Sequence, residues 1–442
     1  MVCSTSMRLG TLWTTVFCAL LTAAEAPAQR LLWLGRLPGG STSEARAVSD
    51  SGPVVVGRAE NVNYYWRAVR WTETEGLISL GTLGGSSSEA TGISPDGRFI
   101  VGKAQDSLGR WRAVLWSSGG MRELGTLGGR ESEAAAVSAL GAVVGKAANS
   151  SLQLRAFLWS ETAGMRDLGT LGGAESAALS IARDSLVIVG WAENPDRNPR
   201  AFRWTPVTGM LDLGTLGGIR SEAYGVSADG SVVVGRAENS DRLWRAFRWT
   251  AATGMLELGT LGGRESAALA VSADGSTIVG WAATPSGDWH AVRWTPSTGL
   301  QDLNVVYARL LGLSILYAAT GVSASGRYIV GYGINAATGR QEAFLLDTEP
   351  QIAIAEPPAG AALPYCYPTV VTGAGTLLCY IPEGMRAELL LTDLLGRPLA
   401  LPTTELPAGE HRLQLPYLAP GTYFLVLRLG AAVFCRPVCV LQ

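Results

Sequence analysis

The chain has 442 residues, 47% of them hydrophobic, enough to bury a sizeable core and too many for one ordinary compact unit. Its formal net charge is −2 and only 16% of its residues are charged, which excludes the strong basic field of a nucleic-acid or anionic-lipid binder. Lys103 and Lys146 are the only lysines; arginine supplies the rest of the positive charge.

Residues 1–28 read as a secretory signal. Arg8 supplies the positive start, residues 9–24 the apolar stretch, and Ala26-Pro27-Ala28 the small-x-small cleavage site. The apolar run is short, contains several Thr and is followed by no stop-transfer charges, so cleavage after Ala28 is expected rather than a membrane anchor. No later stretch is long and apolar enough to span a bilayer. The mature chain is therefore expected to be secreted or surface-attached, exported through the periplasm, and not an integral membrane protein.

A hexapeptide then returns at a fixed interval. Leu-Gly-Thr-Leu-Gly-Gly stands at 80–85, 124–129, 168–173, 213–218 and 258–263, preceded by the degenerate Leu34-Gly35-Arg36-Leu37-Pro38-Gly39-Gly40 and followed by a diverged copy at Leu303-Asn304. The steps from Leu to Leu are 46, 44, 44, 45, 45 and 45 residues, the period of a repeat architecture. Each unit carries four β-like segments. Segment a ends in Val/Ile-Ser, as at Val48-Ser49, Ile93-Ser94 and Val226-Ser227. Asp96-Gly97, Asp229-Gly230 and Asp274-Gly275 then predict hairpins in which both residues take positive φ. Segment b is a continuous apolar run closed by Gly, as in Val54-Val55-Val56-Gly57, which marks a strand covered on both faces. Segment c alternates, as in Arg200-Ala201-Phe202-Arg203-Trp204-Thr205, and Thr-Gly turns lead to segment d, as in Met210-Leu211-Asp212-Leu213.

Four strands in about 45 residues is the unit of a propeller blade. There are seven a-b-c sets, but the first d segment, residues 31–34, precedes any a segment and the last set has no d after it. The count predicts an all-β, seven-bladed β-propeller over residues 29–348, closed by a 1+3 latch in which the N-terminal strand completes the last blade and removes two free sheet edges. A solenoid is the competing architecture, and it leaves the split unit and the Asp-Gly hairpins unexplained. The hexapeptide, the Ala-Phe-x-Trp-Thr strand and the Ile/Val-Val-Gly strand resemble the HAF repeats of exported bacterial proteins over residues 31–347. That resemblance implies export and a repeat fold, and brings no catalytic residues with it.

With this strand order, the d–a and b–c connections share one face. Ser recurs there at 43, 88, 132, 176, 221 and 266; Glu44, Glu89, Glu133 and Glu222 follow it, and Glu131, Glu175 and Glu265 precede it. The residue after the Gly of segment b is Arg58, Lys103, Lys146, Trp191, Arg236, Trp281 or Tyr332. Two readings compete: a polar rim that binds a cation, sugar or peptide, or repeat glue in which Ser holds turn amides and Glu pairs with Arg between blades. Departures from the repeat are the better binding candidates. Trp191 and Trp281 stand where other units have a cation, and Tyr64, Tyr65, Trp66, Trp111, Trp244 and Trp289 sit just before segment c, where exposed aromatics stack on sugars or anchor a partner. The tryptophans within segment c (Trp71, Trp116, Trp159, Trp204, Trp249, Trp294) read as inter-blade core. The longer link at 304–319 reads as a closing loop, or as a short helix capping the channel.

Catalytic signals are thin: the propeller histidine, His290, occupies an Arg position, and no Ser-His-Asp order, metal cluster or phosphate loop stands out, so no cofactor or metal is implied. The rival to a binding module is a polysaccharide-active enzyme using two rim carboxylates; a structural coat protein is the third reading.

Residues 349–364 are rich in Pro and Ala and read as a linker. Short strands follow near 376–381, 387–393, 411–415, 422–429 and 432–441, which predict a small β-sandwich over 365–442. Cys366, Cys379, Cys435 and Cys439 all fall here, an even number that suggests two disulfides in an exported segment. Cys435 and Cys439, roughly 13 Å apart along a strand at about 3.3 Å per residue, are too distant to bridge each other, so each is expected to pair with Cys366 or Cys379. The segment resembles the C-terminal sorting domain of type IX secretion through Leu391-Thr392-Asp393-Leu394-Leu395-Gly396-Arg397, Leu406-Pro407-Ala408-Gly409-Glu410-His411 and Leu418-Ala419-Pro420-Gly421-Thr422-Tyr423. The usual Asn-Pro near its start and its Lys-rich end are absent. The resemblance implies the secretion machinery as a partner, with a glycan or protein as the partner of the propeller rim and no nucleic acid.

Overall fold

The computed structural model describes residues 29–50, 53–183, 186–348 and parts of 365–441. The expected signal (1–28) and linker (349–364) lie outside the described residues. The chain divides into two units, residues 29–349 and a C-terminal one.

The first unit is a seven-bladed β-propeller. Blade 1 pairs strands a to d in order, Ser43–Val48, Val55–Glu60, Trp66–Thr72 and Gly76–Ser79. Blades 2 to 6 repeat that order over 84–123, 128–167, 176–212, 217–257 and 266–302. Blade 7 takes strands a to c from Ile315–Val322, Tyr328–Asn335 and Arg340–Asp347, and its outer strand from Arg30–Trp33. The latch runs antiparallel with Leu31 opposite Leu346 and Trp33 opposite Phe344, so the ring is closed from both ends of the propeller sequence and the solenoid is excluded. Trp33 packs edge-on against the fully buried Phe344, their centroids 6.2 Å apart.

The core lies between blades. The alternation of strand c sends Phe157, Phe202, Phe247 and Phe344, or the valines at the same position, into fully buried sites. Trp71, Trp116, Trp159 and Trp204 fill the next interface, and Trp249 and Trp294 are partly buried there, as expected. Ser43, Ser88, Ser132, Ser176, Ser221 and Ser266 act as the glue reading requires. Each hydroxyl donates to the carbonyl of the first hexapeptide Gly (Ser88 to Gly81, 2.6 Å; Ser43 to Gly35, 2.6 Å). Each accepts from a strand-c amide of the preceding blade: Ala68 to Ser88, 2.9 Å, and, across the closing seam, Ala343 to Ser43, 2.9 Å.

Two details correct the sequence reading. In the Asp-Gly hairpins only the glycine has positive φ (Gly97 +75°, Gly230 +76°, Gly275 +73°). The aspartate works through its side chain instead, Asp96 accepting from the Ser94 hydroxyl at 2.6 Å and the Arg98 amide at 3.1 Å, so the loops are longer than two-residue turns. The link after blade 6 forms two short helices, Leu303–Val306 and Ala308–Leu311. Leu303, Tyr307 and Leu311 bury themselves in the cluster of Leu316, Phe344 and Leu346, so the link wedges the closing blade rather than capping the channel.

The C-terminal unit has two sheets. One pairs Tyr365–Tyr367, Thr376–Ile381 and Gly409–Gln414. The other is built on Ala387–Thr392, Gly421–Leu429 and Ala432–Leu441, with short strands that sequence patterning missed, among them Val370–Thr372 and Pro398–Leu399. Cys366 lies directly opposite Cys379 in the first sheet, whereas Cys435 and Cys439 lie on one strand of the second.

Candidate functional site

The d–a and b–c connections share one face, and the predicted rim residues meet there. The first residue after the strand-b glycine opposes the residue after the recurrent Ser in blades 1 to 6, and the residue after Tyr317, which takes the place of that Ser, in blade 7. The pairs are Glu44 with Arg58, Glu89 with Lys103, Glu133 with Lys146, and Glu222 with Arg236. In the other three blades they are Ala177 with Trp191, Ala267 with Trp281, and Ala318 with Tyr332. The position therefore holds either a carboxylate facing a cation or an alanine facing an aromatic ring.

In blades 1 to 3 the charged pairs link into one chain. Arg58 contacts Glu44 at 3.0 Å and reaches across the blade junction to Glu89, also at 3.0 Å. Lys103 lies 4.0 Å from Glu89 and 3.5 Å from Glu133 of the next blade, and Lys146 ends the chain 3.5 Å from Glu133. Burial strips water from Arg58, but its contacts with Glu44 and Glu89 more than offset this and raise its pKa. In blade 5, Arg236 pairs with Glu222 at 2.9 Å, and Glu222 accepts a short hydrogen bond from Tyr224. Burial, then the Glu222 charge, pushes the Tyr224 phenol far above its ordinary pKa.

The tryptophans that open strand c cover these cations. Trp66 lies under Arg58 (4.1 Å), Trp111 under Lys103 (4.6 Å) and Trp244 under Arg236 (4.3 Å), so three predicted rim aromatics are cation–π partners within their own blade. Blade 6 differs: Trp281 is buried and stacks on Trp289, centroids 4.3 Å apart and planes 19° from parallel, while Trp289 stays 46% exposed. Trp191 is half-buried, and Tyr65 is exposed on the first b–c loop beside Tyr64, which has φ +60°. Glu175 and Glu265 lie on the adjoining d–a links, and Glu131 lies within the first strand of blade 3, Gly128–Val137. His290 is not part of the rim; its Nδ1 lies 2.7 Å from Asp302, in the strand c–d pair that Arg200 makes with Asp212 and Arg245 with Glu257. Among the described residues no three His, Cys, Asp or Glu side chains come together as metal ligands.

One ring escaped the sequence reading. Every strand a carries a register shift at the same place, between Ala45 and Ala47 in blade 1 and between Ala223 and Gly225 in blade 5, for example. The extra residue of each bulge, Arg46, Thr91, Ala135, Leu179, Tyr224, Leu269 or Thr320, lines the central channel. The strand-b glycine is what admits the bulge: a Cβ at Gly57 would lie 2.0 Å from the Glu44 carbonyl, and at Gly331 1.9 Å from that of Ala318. Seven Ala-x-small triplets in which only x changes size and charge were the signal available in the sequence.

Fold and rim together define an all-β, latched seven-bladed propeller with an asymmetric channel mouth. No protein-family model and no curated protein matches the sequence. Among solved structures it is similar to TolB from Acinetobacter baumannii, 14% identical over 70% of this chain and 64% of that one, with a TM-score of 0.40. The chain thus spans less than two thirds of TolB's length. It is also similar to the β-propeller domain of the Trilobed protease from Pyrococcus furiosus (10% identity, 70% and 96% covered, TM-score 0.48). A third similar structure is a fungal alcohol oxidase of the AA5 family in complex with copper (10% identity, 94% and 100% covered, TM-score 0.40). The propeller assignment stands on this chain's own strand pairing.

Proposed function

We propose that this chain is an exported, HAF-type propeller that acts at the cell surface or in the medium as a non-catalytic binding module. Its C-terminal two-sheet unit, similar to a type IX sorting domain, is the part that engages the secretion machinery. The carrying observation is the division of the rim. Glu44, Glu89, Glu133 and Glu222 are committed to ion pairs, an arrangement suited to joining blades rather than to protonating a leaving group. Trp289 presents an exposed indole face braced from behind by Trp281. A rigid, half-exposed ring of this kind stacks on the apolar face of a sugar, so the proposed ligand is a neutral glycan. The test is retention of the mature chain (residues 29–442) on an array of neutral oligosaccharides. Trp289→Ala is expected to lower affinity by about tenfold or more, the scale of an aromatic anchor, with thermal unfolding unchanged. Equal retention of parent and variant, or none by either, overturns the reading.

A further inference from the structure

We infer that the channel is a second binding site, separate from the rim, for a small carboxylate with an apolar body seated on the ring of bulge residues. The ring divides its chemistry by blade. Thr320, Arg46 and Thr91 occupy adjacent blades 7, 1 and 2, while Ala135, Leu179, Tyr224 and Leu269 occupy blades 3 to 6. A guanidinium thus faces a largely apolar wall across the channel. The flanking positions cannot vary in this way: the residue before each bulge is Ala in all seven blades, and the one after is Ala, Gly or Ser. The scaffold repeats and the ring does not.

Arg46 is the one charged side chain of the bulge ring; Glu89, Glu133 and Lys146, which also line the rim-side cavity, belong to the rim chain. The rim chain of blades 1 to 3 neutralises itself, with Glu44, Glu89 and Glu133 against Arg58, Lys103 and Lys146. The Glu222–Arg236 and Asp50–Arg183 pairs are each neutral. Arg46, one level deeper, is the cation left over. Its Nη2 donates to Glu44 at 2.9 Å, a carboxylate already shared with Arg58, and a guanidinium carries five N–H donors.

Among the described residues an ion pair crosses the far mouth. At the opposite mouth Arg183 of blade 4 reaches Asp50 of blade 1 at 2.5 Å, and Asp50 accepts from the Ala324 amide of blade 7. Pro95, Ala228 and Ala273 crowd the same opening. The ring separates a cavity of about 350 Å³ on the rim side from one of about 250 Å³ above the ion pair. The larger of these lies within the range of small-molecule sites, which begins near 300 Å³ (about).

Calorimetry on the mature chain with 3-phenylpropionate and octanoate tests this, with 3-phenylpropanol as the uncharged comparison. Both carboxylates are expected to bind saturably, and the alcohol about tenfold more weakly or worse, since a charge-assisted pair is lost. Arg46→Gln is expected to erase the preference for carboxylate. Ala135→Trp, which fills the ring from blade 3 and leaves the Arg46 side chain in place, is expected to abolish binding of all three, with thermal unfolding showing that both variants are folded. The site is overturned if neither carboxylate binds, if Arg46→Gln keeps the preference, or if Ala135→Trp binds as the parent does. The rim is scored by oligosaccharide retention and the channel by carboxylate heats, so either reading can fail with the other intact.

Discussion

Across blades 1 to 3 the cross-strand position at the rim holds a carboxylate facing a cation, and across blades 4, 6 and 7 it holds alanine facing Trp or Tyr. The two arcs share a backbone and differ in how they join neighbours. In the charged arc each cation of blades 1 and 2 serves its own blade and the next, so the interface is continuous across two junctions. In the aromatic arc a small residue makes room for a ring, which joins blades by apolar contact: Trp281 stacks on Trp289 of its own blade and packs in one cluster with Ala318 of blade 7. The lesson is that this position changes as a pair. An ion pair this close to solvent contributes about 0–1 kcal/mol, so neither arc is the main source of stability, which lies in the buried Phe and Trp between blades. A mismatched half-pair is far worse than either matched pair.

That contrast can be broken directly. Glu89→Ala takes one of two carboxylates from each of Arg58 and Lys103, whose side chains are only 21% and 19% exposed, and leaves them Glu44 and Glu133. Its expected cost is about 1–3 kcal/mol, the scale of the lost hydrogen bond between charged groups, Arg58 to Glu89, read as a drop in urea midpoint at unchanged slope. Adding Lys103→Trp gives blade 2 the Ala–Trp pair of blade 6, with Trp111 where blade 6 has Trp289. The double variant is expected to recover to within about 1 kcal/mol of the parent, the non-additivity of residues that act as a unit. A double variant weaker than Glu89→Ala would show that the two arcs are not interchangeable.

The smallest effect lies on the opposite face and depends on pH. The Ser227 hydroxyl, then the Ser231 amide and hydroxyl, hold the Asp229 carboxyl at about 2, below its ordinary value. A depressed folded pKa means that the contribution is fully present above the unfolded value of about 4 and is lost as pH falls toward 2. Thermal unfolding of Asp229→Asn should therefore lie slightly below the parent at neutral pH and converge with it near pH 2.

Much of the fold was legible because it is local. Apolar runs ending in Gly, alternating c segments and Gly-containing hairpins each describe contacts within about 45 residues, and counting them exposed the unmatched strand at Leu31. The shared rim followed from strand direction alone. The Asp-Gly conformation was misread because the aspartate side chain, bonded to Ser94 and Arg98 in the example of Asp96, replaces the second positive φ. The acid–cation and Ala–aromatic pairing lay in the repeats, unseen until the a–b register set the partners opposite one another. The bulge ring was hidden for a related reason. An extra residue leaves the pattern of Ala-x-small unchanged, and only pairing with strand b reveals which residue is unpaired and turned into the channel.

By itself, then, the sequence determined the blade count, the latch and the face on which the rim lies, because hairpin pairing and burial period are properties of neighbouring residues. Only the tertiary structure decided that Arg46, Leu179 and Leu269 share one ring and that Asp50 meets Arg183 across the far mouth. The interior of a propeller takes one side chain from each repeat. Those side chains become neighbours only when the ring closes, so their combined chemistry is written in no single stretch of the chain.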